Sequence, residues 1–186
     1  ENYVTSFICQ SAIKDSYVNS LLAQLLILNS SLDLNIVIIT NEDNATRWDF
    51  AKYLPHIFSE DKSIRFFATD EAEAKIVSNY LEDILKNRKE VSTRDSENNK
   101  FKPVPYFLII TDDYKKYKTI TIIDDIVNKD AGSFGFSLFV IEDSIKQVPI
   151  TSQTFIELNE KDGVVIQKTT GLNLQTIFYV DRSEKE

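Results

Sequence analysis

The sequence of 186 residues contains one cysteine, one histidine and no methionine. Cys9 therefore has no partner for an intrachain disulfide, and together with His56 it supplies too few ligands for a zinc cluster. This low cysteine content fits the cytosol. His56 follows a proline and is expected to bond to the backbone of a turn. Since the chain begins at Glu1 without methionine, we expect a segment of a longer, multidomain protein.

The sequence also lacks a basic block and a long apolar run. Its net charge is −8 and its isoelectric point is about 4.8, with lysine and arginine scattered along the chain. A groove for nucleic acid needs a positive face, so no nucleic-acid partner is predicted. No apolar run approaches the ~18 residues of a membrane-spanning helix. With 42% hydrophobic residues, residues 1–186 are long and apolar enough to form a single folded domain.

Segments typical of strands alternate with segments typical of helices, which predicts an α/β three-layer sandwich with a mainly parallel central sheet. Residues 118–129 are ambiguous: their β-branched content favours a strand, whereas the need for a crossover favours a helix, which we prefer. Thr69 is expected to cap its helix, and the polar residues 92–103 are predicted to form a mobile loop. The predicted strands are residues 2–10, 34–41, 63–69, 105–113 and 134–143, with short β segments at 149–158, 162–167 and 175–181; the predicted helices are residues 17–31, 45–54, 69–91 and 118–129.

The segment after the first predicted strand has the layout of a phosphate-binding loop without its residues. At the eight positions of G-x-x-x-x-G-K-[ST], Cys9 to Ser16 read CQSAIKDS, and both glycines are missing. Asp15 replaces the phosphate-binding lysine, and two like charges ~4 Å apart repel by ~4 kcal/mol at an effective dielectric of 20. Lys14 could partly compensate. Ser16 is predicted to cap a helix beginning at Tyr17 rather than to hold Mg²⁺.

Asp112 and Asp113 follow the apolar strand YFLIIT, as in the Walker B layout, where the first carboxylate holds Mg²⁺ through water. In open parallel sheets, ligands bind beyond the carboxyl ends of the strands. A P-loop arrangement would place the first strand beside the Asp112 strand in the centre of the sheet. An acidic pair after a strand also serves as a helix cap or a solvated turn, and that alternative stays open. Trp48 and Tyr53 are predicted to be core or interface anchors.

Three segments resemble the EssC/EccC-type membrane ATPases of type VII secretion systems, which are relatives of the FtsK/SpoIIIE motors. The first segment is a tryptophan-containing helix followed by Leu-Pro-His, here Trp48 and Leu54–His56. The second is YFLIITDDYKKYK, which resembles their Walker B strand, and the third is Val148–Ser152 after a further strand. The resemblance extends from about Ser6 to Asp181. The sequence departs from the active modules of the family because the phosphate-binding loop is absent.

The resemblance implies a degenerate P-loop-NTPase-like fold, lying between the membrane segments and the first true ATPase module. It implies a non-catalytic domain on the cytoplasmic side of the membrane, which couples or assembles the ATPase modules for protein export. The expected partners are adjacent modules of the same chain and other secretion subunits, in an oligomer such as a hexamer. No metal or cofactor is expected in this domain, while ATP and Mg²⁺ belong to the other modules. The degenerate nucleotide positions are Cys9, Lys14, Asp15 and Ser16, and the Walker-B-like positions are Asp112 and Asp113.

Two other functions remain open from the sequence. The pair Asp112 and Asp113 offers oxygen ligands to a hard cation, which would suit a Mg²⁺-dependent α/β enzyme or a nucleotide-binding domain. The chain could also be an interaction module unrelated to ATPases, and the order of strands in the sheet would distinguish that case.

Overall fold

A computed structural model describes residues 3–9, 13–94, 102–159, 162–169 and 172–179 of the chain. Its regular elements alternate along the sequence as predicted, and two segments of 3₁₀ helix, Ala45–Tyr53 and Pro55–Ile57, follow the second strand. The strands are β1 Val4–Ile8, β2 Leu34–Ile39, β3 Phe67–Ala68, β4 Tyr106–Thr111, β5 Phe136–Glu142, β6 Thr154–Leu158, β7 Asp162–Thr169 and β8 Leu172–Tyr179. The helices are α1 Ile13–Leu28, α2 Glu71–Arg94, α3 Tyr114–Tyr117 and α4 Thr121–Asn128.

The eight strands form one sheet in the order β3-β2-β4-β5-β1-β6-β7-β8. The first six strands of that order are parallel, and β7 and β8 are added antiparallel at one side. Every residue of β2 is buried, which explains its continuous apolar sequence. The α/β class with a mainly parallel sheet is therefore confirmed, and α4 confirms the helix preferred within residues 118–129.

The predicted neighbour of the Asp112 strand was wrong. Strand β1 does not pair with β4, because β5 lies between them and pairs with both. The chain leaves β4, crosses through α3 and α4, and returns in the space between these two strands. The carboxyl ends of β1 and β4 are consequently separated by two strand spacings, or about 10 Å. The tip of β5, which ends at Glu142, occupies the position between them.

Helix α1 begins earlier than predicted, and this overturns the assignment of Ser16 as its cap. The helix starts at Ile13, so Ser16 is a helical residue with an exposed side chain. Asp15 lies in the first turn, where a negative charge interacts favourably with the helix dipole. The preceding residues 10–12 lie outside the described part of the chain.

The start of α2 also differs from the prediction, since Asp70 rather than Thr69 caps it. Asp70 Oδ1 accepts a hydrogen bond of 2.8 Å from the N–H of Glu73, and Glu73 Oε2 accepts bonds from the N–H and hydroxyl of Thr69. The helix continues to Arg94, so the predicted loop 92–103 begins too early, and residues 95–101 lie outside the described chain. The strand predicted at 63–69 is reduced to Phe67–Ala68.

The hairpin of β7 and β8 is the outermost part of the sheet. Its apolar residues Leu174, Ile177 and Tyr179 are 55%, 66% and 88% exposed. Phe178 lies against the backbone of Gly163, where an added Cβ would come within 2.2 Å of its ring, and the same ring lies 5.6 Å from that of Tyr17. One aromatic side chain thus connects β8 to α1. None of the helices in the described residues is long and apolar enough to cross a membrane.

Candidate functional site

The carboxyl edge of the parallel sheet brings together polar side chains from several strand ends. Asp112 follows β4, and its side chain is only 1% exposed. Its Oδ1 accepts a hydrogen bond of 2.7 Å from the hydroxyl of Thr40, which follows β2. Its Oδ2 accepts bonds from the indole N–H of Trp48 at 3.1 Å and from Arg47 Nη1 at 3.2 Å. Both oxygens of this buried carboxylate are therefore bound by donors from the protein itself.

Arg47 links this carboxylate to the first turn of α1. Its Nε lies 3.1 Å from Asp15 Oδ1, while Nη1 contacts Asp112. The guanidinium is partly shielded, with 23% of the side chain exposed. A single cation thus bridges the position of the phosphate-binding lysine and the position of the Walker B carboxylate.

The segment between β2 and β3 positions both donors. Asn41 follows β2 and its Oδ1 accepts a bond of 2.9 Å from the N–H of Asn44, which turns the chain into the 3₁₀ helix. Trp48 is 1% exposed, which confirms it as a core anchor, whereas Tyr53 is 84% exposed. The helix ends before Pro55, since the residue before a proline is restricted to extended conformations.

Asp113 caps a helix rather than standing free. Its Oδ1 accepts a bond of 3.3 Å from the N–H of Lys116 in α3, and its Oδ2 accepts one of 3.1 Å from Asn41 Nδ2. The helix-cap alternative for the acidic pair is therefore confirmed for Asp113. Within the described residues, no group of three or more histidine, cysteine or acidic side chains is placed to hold a metal ion.

Glu142 lies at the end of β5, beside the other acidic groups of this edge. The pKa of Glu142 is raised to about 7, mainly by burial and to a smaller extent by the charges of Asp113, Asp112 and Asp143. A hydrogen bond of 2.8 Å from the N–H of Tyr114 acts in the opposite direction. Because β5 separates β1 from β4, this carboxyl lies where a P-loop and a Walker B strand were expected to be adjacent.

The remaining predicted site residues take structural roles. Lys14 pairs with Asp143 instead of offsetting Asp15. Cys9 is buried, and its N–H donates a bond of 3.1 Å to the carbonyl of Glu142. His56 contacts the carbonyl of Asn29 through Nε2 at 2.9 Å, as expected for a histidine bonded to the backbone.

Sequence reasoning missed Thr40, Asn41, Arg47 and Glu142 as members of this cluster. Thr40, Asn41 and Glu142 lie at the carboxyl ends of buried strands, and that position was the signal that could have identified them. Arg47 carries no such signal, because it reaches the edge from the 3₁₀ helix.

No family model matches the chain. It is 26% identical over 153 residues to the type VII secretion system protein EssC of Staphylococcus aureus strain MSSA476. It is 22% identical over 177 residues to the ESX secretion system protein EccC of Geobacillus thermodenitrificans. These matches cover 81% and 94% of the chain, but only 10% and 12% of the two relatives, so the chain spans about a tenth of their length.

Solved structures show the same fold. A structure of EssC ATPases 2 and 3 from Geobacillus thermodenitrificans matches all of the chain with a TM-score of 0.69 and 12% identity, and the match covers 41% of that protein. A structure of the cytoplasmic domain of EssC matches with a TM-score of 0.66 and 13% identity, covering 42% of that protein. The chain therefore shares the fold of these EssC structures.

Proposed function

Because the chain is homologous to the EssC and EccC ATPases of type VII secretion, we propose that it is a non-catalytic ATPase-like domain of such a protein. The domain couples or assembles the catalytic ATPase modules of the same chain for protein export. It acts on the cytoplasmic side of the membrane, between the membrane segments and the first active module. ATP and Mg²⁺ are used by the other modules.

The bridge made by Arg47 carries this proposal. In an active P-loop site, a lysine and a Walker B carboxylate lie on either side of the magnesium-bound phosphates. Here a guanidinium bonds to Asp15 and Asp112 at these two positions. The residues present do not fit a magnesium nucleotide, because both oxygens of Asp112 are engaged and Asp15 would repel a polyphosphate.

The start of α1 supports the same conclusion. A P-loop forms an anion-binding nest because its glycines let successive backbone N–H groups turn inward before the helix begins. In this chain, glycine is missing from both motif positions, and the last four of the eight positions, from Ile13 to Ser16, already belong to the helix.

Nucleotide titration tests the non-catalytic part of the proposal. Calorimetric titration of the chain with ATP and Mg²⁺ should show no binding tighter than about millimolar, and no hydrolysis. Micromolar binding with turnover would overturn it. The alternative of a Mg²⁺-dependent enzyme predicts that Asp112→Asn abolishes metal binding and activity, whereas the present proposal predicts no change in either.

The exposed face of β8 supports the assembly role. Ile177 and Tyr179 lie on one face of the outermost strand and present apolar side chains to solvent, as expected of a surface that another protein covers. We assign this surface to an adjacent module, to another secretion subunit or to a second copy in the full-length oligomer. The net charge of −8 supports a protein partner over nucleic acid.

Export by the full-length parent protein tests the coupling role. Replacing Ile177 and Tyr179 with serine should reduce export, while the ATP hydrolysis of the isolated active modules stays unchanged. The matched control is the replacement of the exposed polar neighbours Gln175 and Thr176 with serine. Equal export by both double variants would contradict the assignment of this surface.

A further inference from the structure

The two outer strands of the sheet differ in how their free edges are protected. Natural sheets protect a free edge by keeping its strand short, by placing charges or proline on it, or by a bulge. Strand β3 at one side is only two residues long. Strand β8 at the other side is eight residues long, and its sequence LNLQTIFY contains no charge and no proline. Its register with β7 is regular, without a bulge, so the free edge of β8 is suited to pairing with a further strand.

The hydrogen bonds of the neighbouring strands show which main-chain groups of β8 point to its free edge. The N–H of Asn159 donates to the carbonyl of Asp162 at 3.0 Å, so the main-chain groups of Asp162 point towards β6. Asp162 lies opposite Tyr179, and this pair is therefore one of those that do not bond to each other across β7 and β8. Tyr179 consequently directs its N–H and C=O away from β7. The same holds for every second residue along β8, which includes Ile177 and Gln175.

An apolar row on one face of the hairpin ends at this free edge. Ile177 lies opposite Val164 of β7, so the two side chains are neighbours on the same face of the sheet. Tyr179 lies on that face as well, whereas Phe178 points to the other face, where its ring contacts Tyr17 of α1. A strand added at the edge would continue the row that Val164 and Ile177 begin.

Charge and symmetry favour a second copy of the chain as the added strand. Each copy has a net charge of −8, which opposes association over most of the surface. Strand β8 carries no charge, so two copies can meet along it without placing like charges opposite each other. A twofold axis makes one antiparallel strand complementary to its own copy, because each outward N–H then meets an outward C=O and each apolar row meets the same row.

We propose that β8 pairs antiparallel with β8 of a second copy of this chain, with Ile177 opposite Ile177 of that copy. This register joins the two apolar rows on one face and places Gln175 opposite Tyr179 of the second copy. The two sheets then form one continuous sheet across the twofold axis. The pairing names the occupant of the β8 surface, and it rests on the proposed assembly role for its place in the parent protein.

Sedimentation equilibrium of the chain over a range of concentrations tests the self-association. One pair of strands is a small interface, so we expect a weak dimer with a Kd on the order of tens of micromolar. The dimer should become tighter as salt is added, because salt screens the repulsion between the two negative chains. A chain that stays monomeric up to about 1 mM would overturn the proposal.

A charge exchange at the twofold axis tests the register. Ile177→Lys places two like charges opposite each other and should weaken the dimer about tenfold, and Ile177→Glu should do the same. An equal mixture of these two variants should form a heterodimer, because the charges at the axis are then opposite. The matched control is Leu174→Lys, whose side chain lies on the other face, and it should change the Kd by about threefold or less. Failure of the mixture to associate, or an equal effect of the control, would overturn this register.

A mixture of ¹³C-labelled and unlabelled chains tests the strand pairing itself. In the proposed register, Thr176 lies opposite Phe178 of the second copy in a pair without mutual hydrogen bonds, whose Cα atoms are ~4.5 Å apart. Isotope-filtered NMR should therefore show a nuclear Overhauser effect between the α-protons of these two residues in different molecules. A dimer without this contact would overturn the pairing.

The pairing and the assembly role can fail separately. A monomeric chain whose Ile177 and Tyr179 variants still reduce export would overturn the pairing and retain the assembly role. A dimer that these variants dissociate without any loss of export would support the pairing and contradict the assembly role.

Discussion

At the carboxyl edge of the sheet, Asp112 accepts three hydrogen bonds from the protein, whereas at the amino edge Asn35 Oδ1 accepts none from the described residues. The two arginines differ as well: Arg47 pairs with two carboxylates, while Arg88 donates to backbone carbonyls and lies over aromatic rings. In open α/β sheets the carboxyl edge is the usual ligand site. In this chain both oxygens of Asp112 are satisfied within the protein, and a buried acceptor that finds no donor among the described residues lies at the other end of the strands.

The comparison predicts effects of opposite sign on stability at the two edges. Removing a partner at the carboxyl edge leaves a buried charge uncompensated, which is costly. Removing the unpaired group at the amino edge removes a polar atom whose burial is already unfavourable. Four predictions follow from the largest expected effect to the smallest: the first and the third test this difference, the second tests the buried charge of Glu142, and the fourth compares two helix starts.

Arg47→Ala should have the largest effect. It removes the cation beside the buried carboxylate of Asp112, and we expect the free energy of unfolding to fall by about 3 kcal/mol at pH 7. Urea unfolding followed by circular dichroism measures this change. The matched control is Lys52→Ala in the same 3₁₀ helix, which removes a surface ion pair with Asp49 and should cost about 0.5 kcal/mol or less. Similar losses in both variants would mean that the Arg47 bridge is an ordinary surface contact.

Glu142→Gln tests the electrostatics of the carboxyl edge. The folded pKa of Glu142 is raised to about 7, so the folded state holds its proton more tightly than the unfolded state does. The wild-type protein should therefore lose stability as the pH rises from about 4.5 to about 7. The variant lacks this loss, so at pH 8 it should be more stable than the wild type by about 1–2 kcal/mol, after allowance for solvent screening.

Unfolding midpoints at pH 5 and pH 8 measure that difference, which should be smaller at pH 5. Glu157→Gln on strand β6, which β1 separates from β5, is the control for the loss of one negative charge at an exposed position. A gain in the Glu142 variant that does not change with pH would contradict the assignment of the raised pKa.

Asn35→Leu should stabilise the protein. It replaces a buried acceptor without a donor by an apolar side chain among aromatic neighbours, and we expect a gain of about 1 kcal/mol in urea unfolding. Asn87→Leu, at an exposed position of α2, should change stability by no more than about 0.5 kcal/mol. A loss of stability in the Asn35 variant would show that its carboxamide is satisfied, and the contrast between the edges would fail.

The smallest effects distinguish the starts of two helices. Asp70→Ala removes the hydrogen bond that caps α2 and should cost about 1 kcal/mol. Ser16→Ala changes an exposed residue within α1 and should alter stability by about 0.5 kcal/mol or less. Thermal unfolding compares the two variants directly, and a loss of about 1 kcal/mol for Ser16→Ala would restore its assignment as a cap.

The elements that sequence reasoning predicted correctly have strong local signals. The apolar runs of β2 and β4 can only be buried strands, and a parallel pair requires the crossover that α4 supplies. The Asp112 and Asp113 pair was placed at the carboxyl edge because it follows such a strand. The resemblance to the EssC and EccC proteins was confirmed by relatives that cover most of the chain.

The features that sequence reasoning missed depend on contacts between distant segments. Strand β5 pairs with both β1 and β4 and so lies between them. The residues of β1 and β4 alone do not indicate this strand order. The Arg47 bridge joins Asp15 and Asp112, which are far from Arg47 in the sequence. No sequence motif predicts such a contact. Helix starts were displaced by a few residues, because several polar residues near each start could serve as the cap.

The packing of Phe178 against Gly163 and Tyr17 determines how easily the hairpin of β7 and β8 opens. The outer strand β8 has one side without a neighbouring strand, and most of its described side chains face solvent. It contacts α1 through the ring of Phe178, which lies 5.6 Å from that of Tyr17. The hairpin can therefore open locally at a lower free energy than the central strands, whose amides become accessible only on global unfolding. Its backbone amides should exchange with deuterium long before those of β4, and binding of a partner along β8 would slow that exchange.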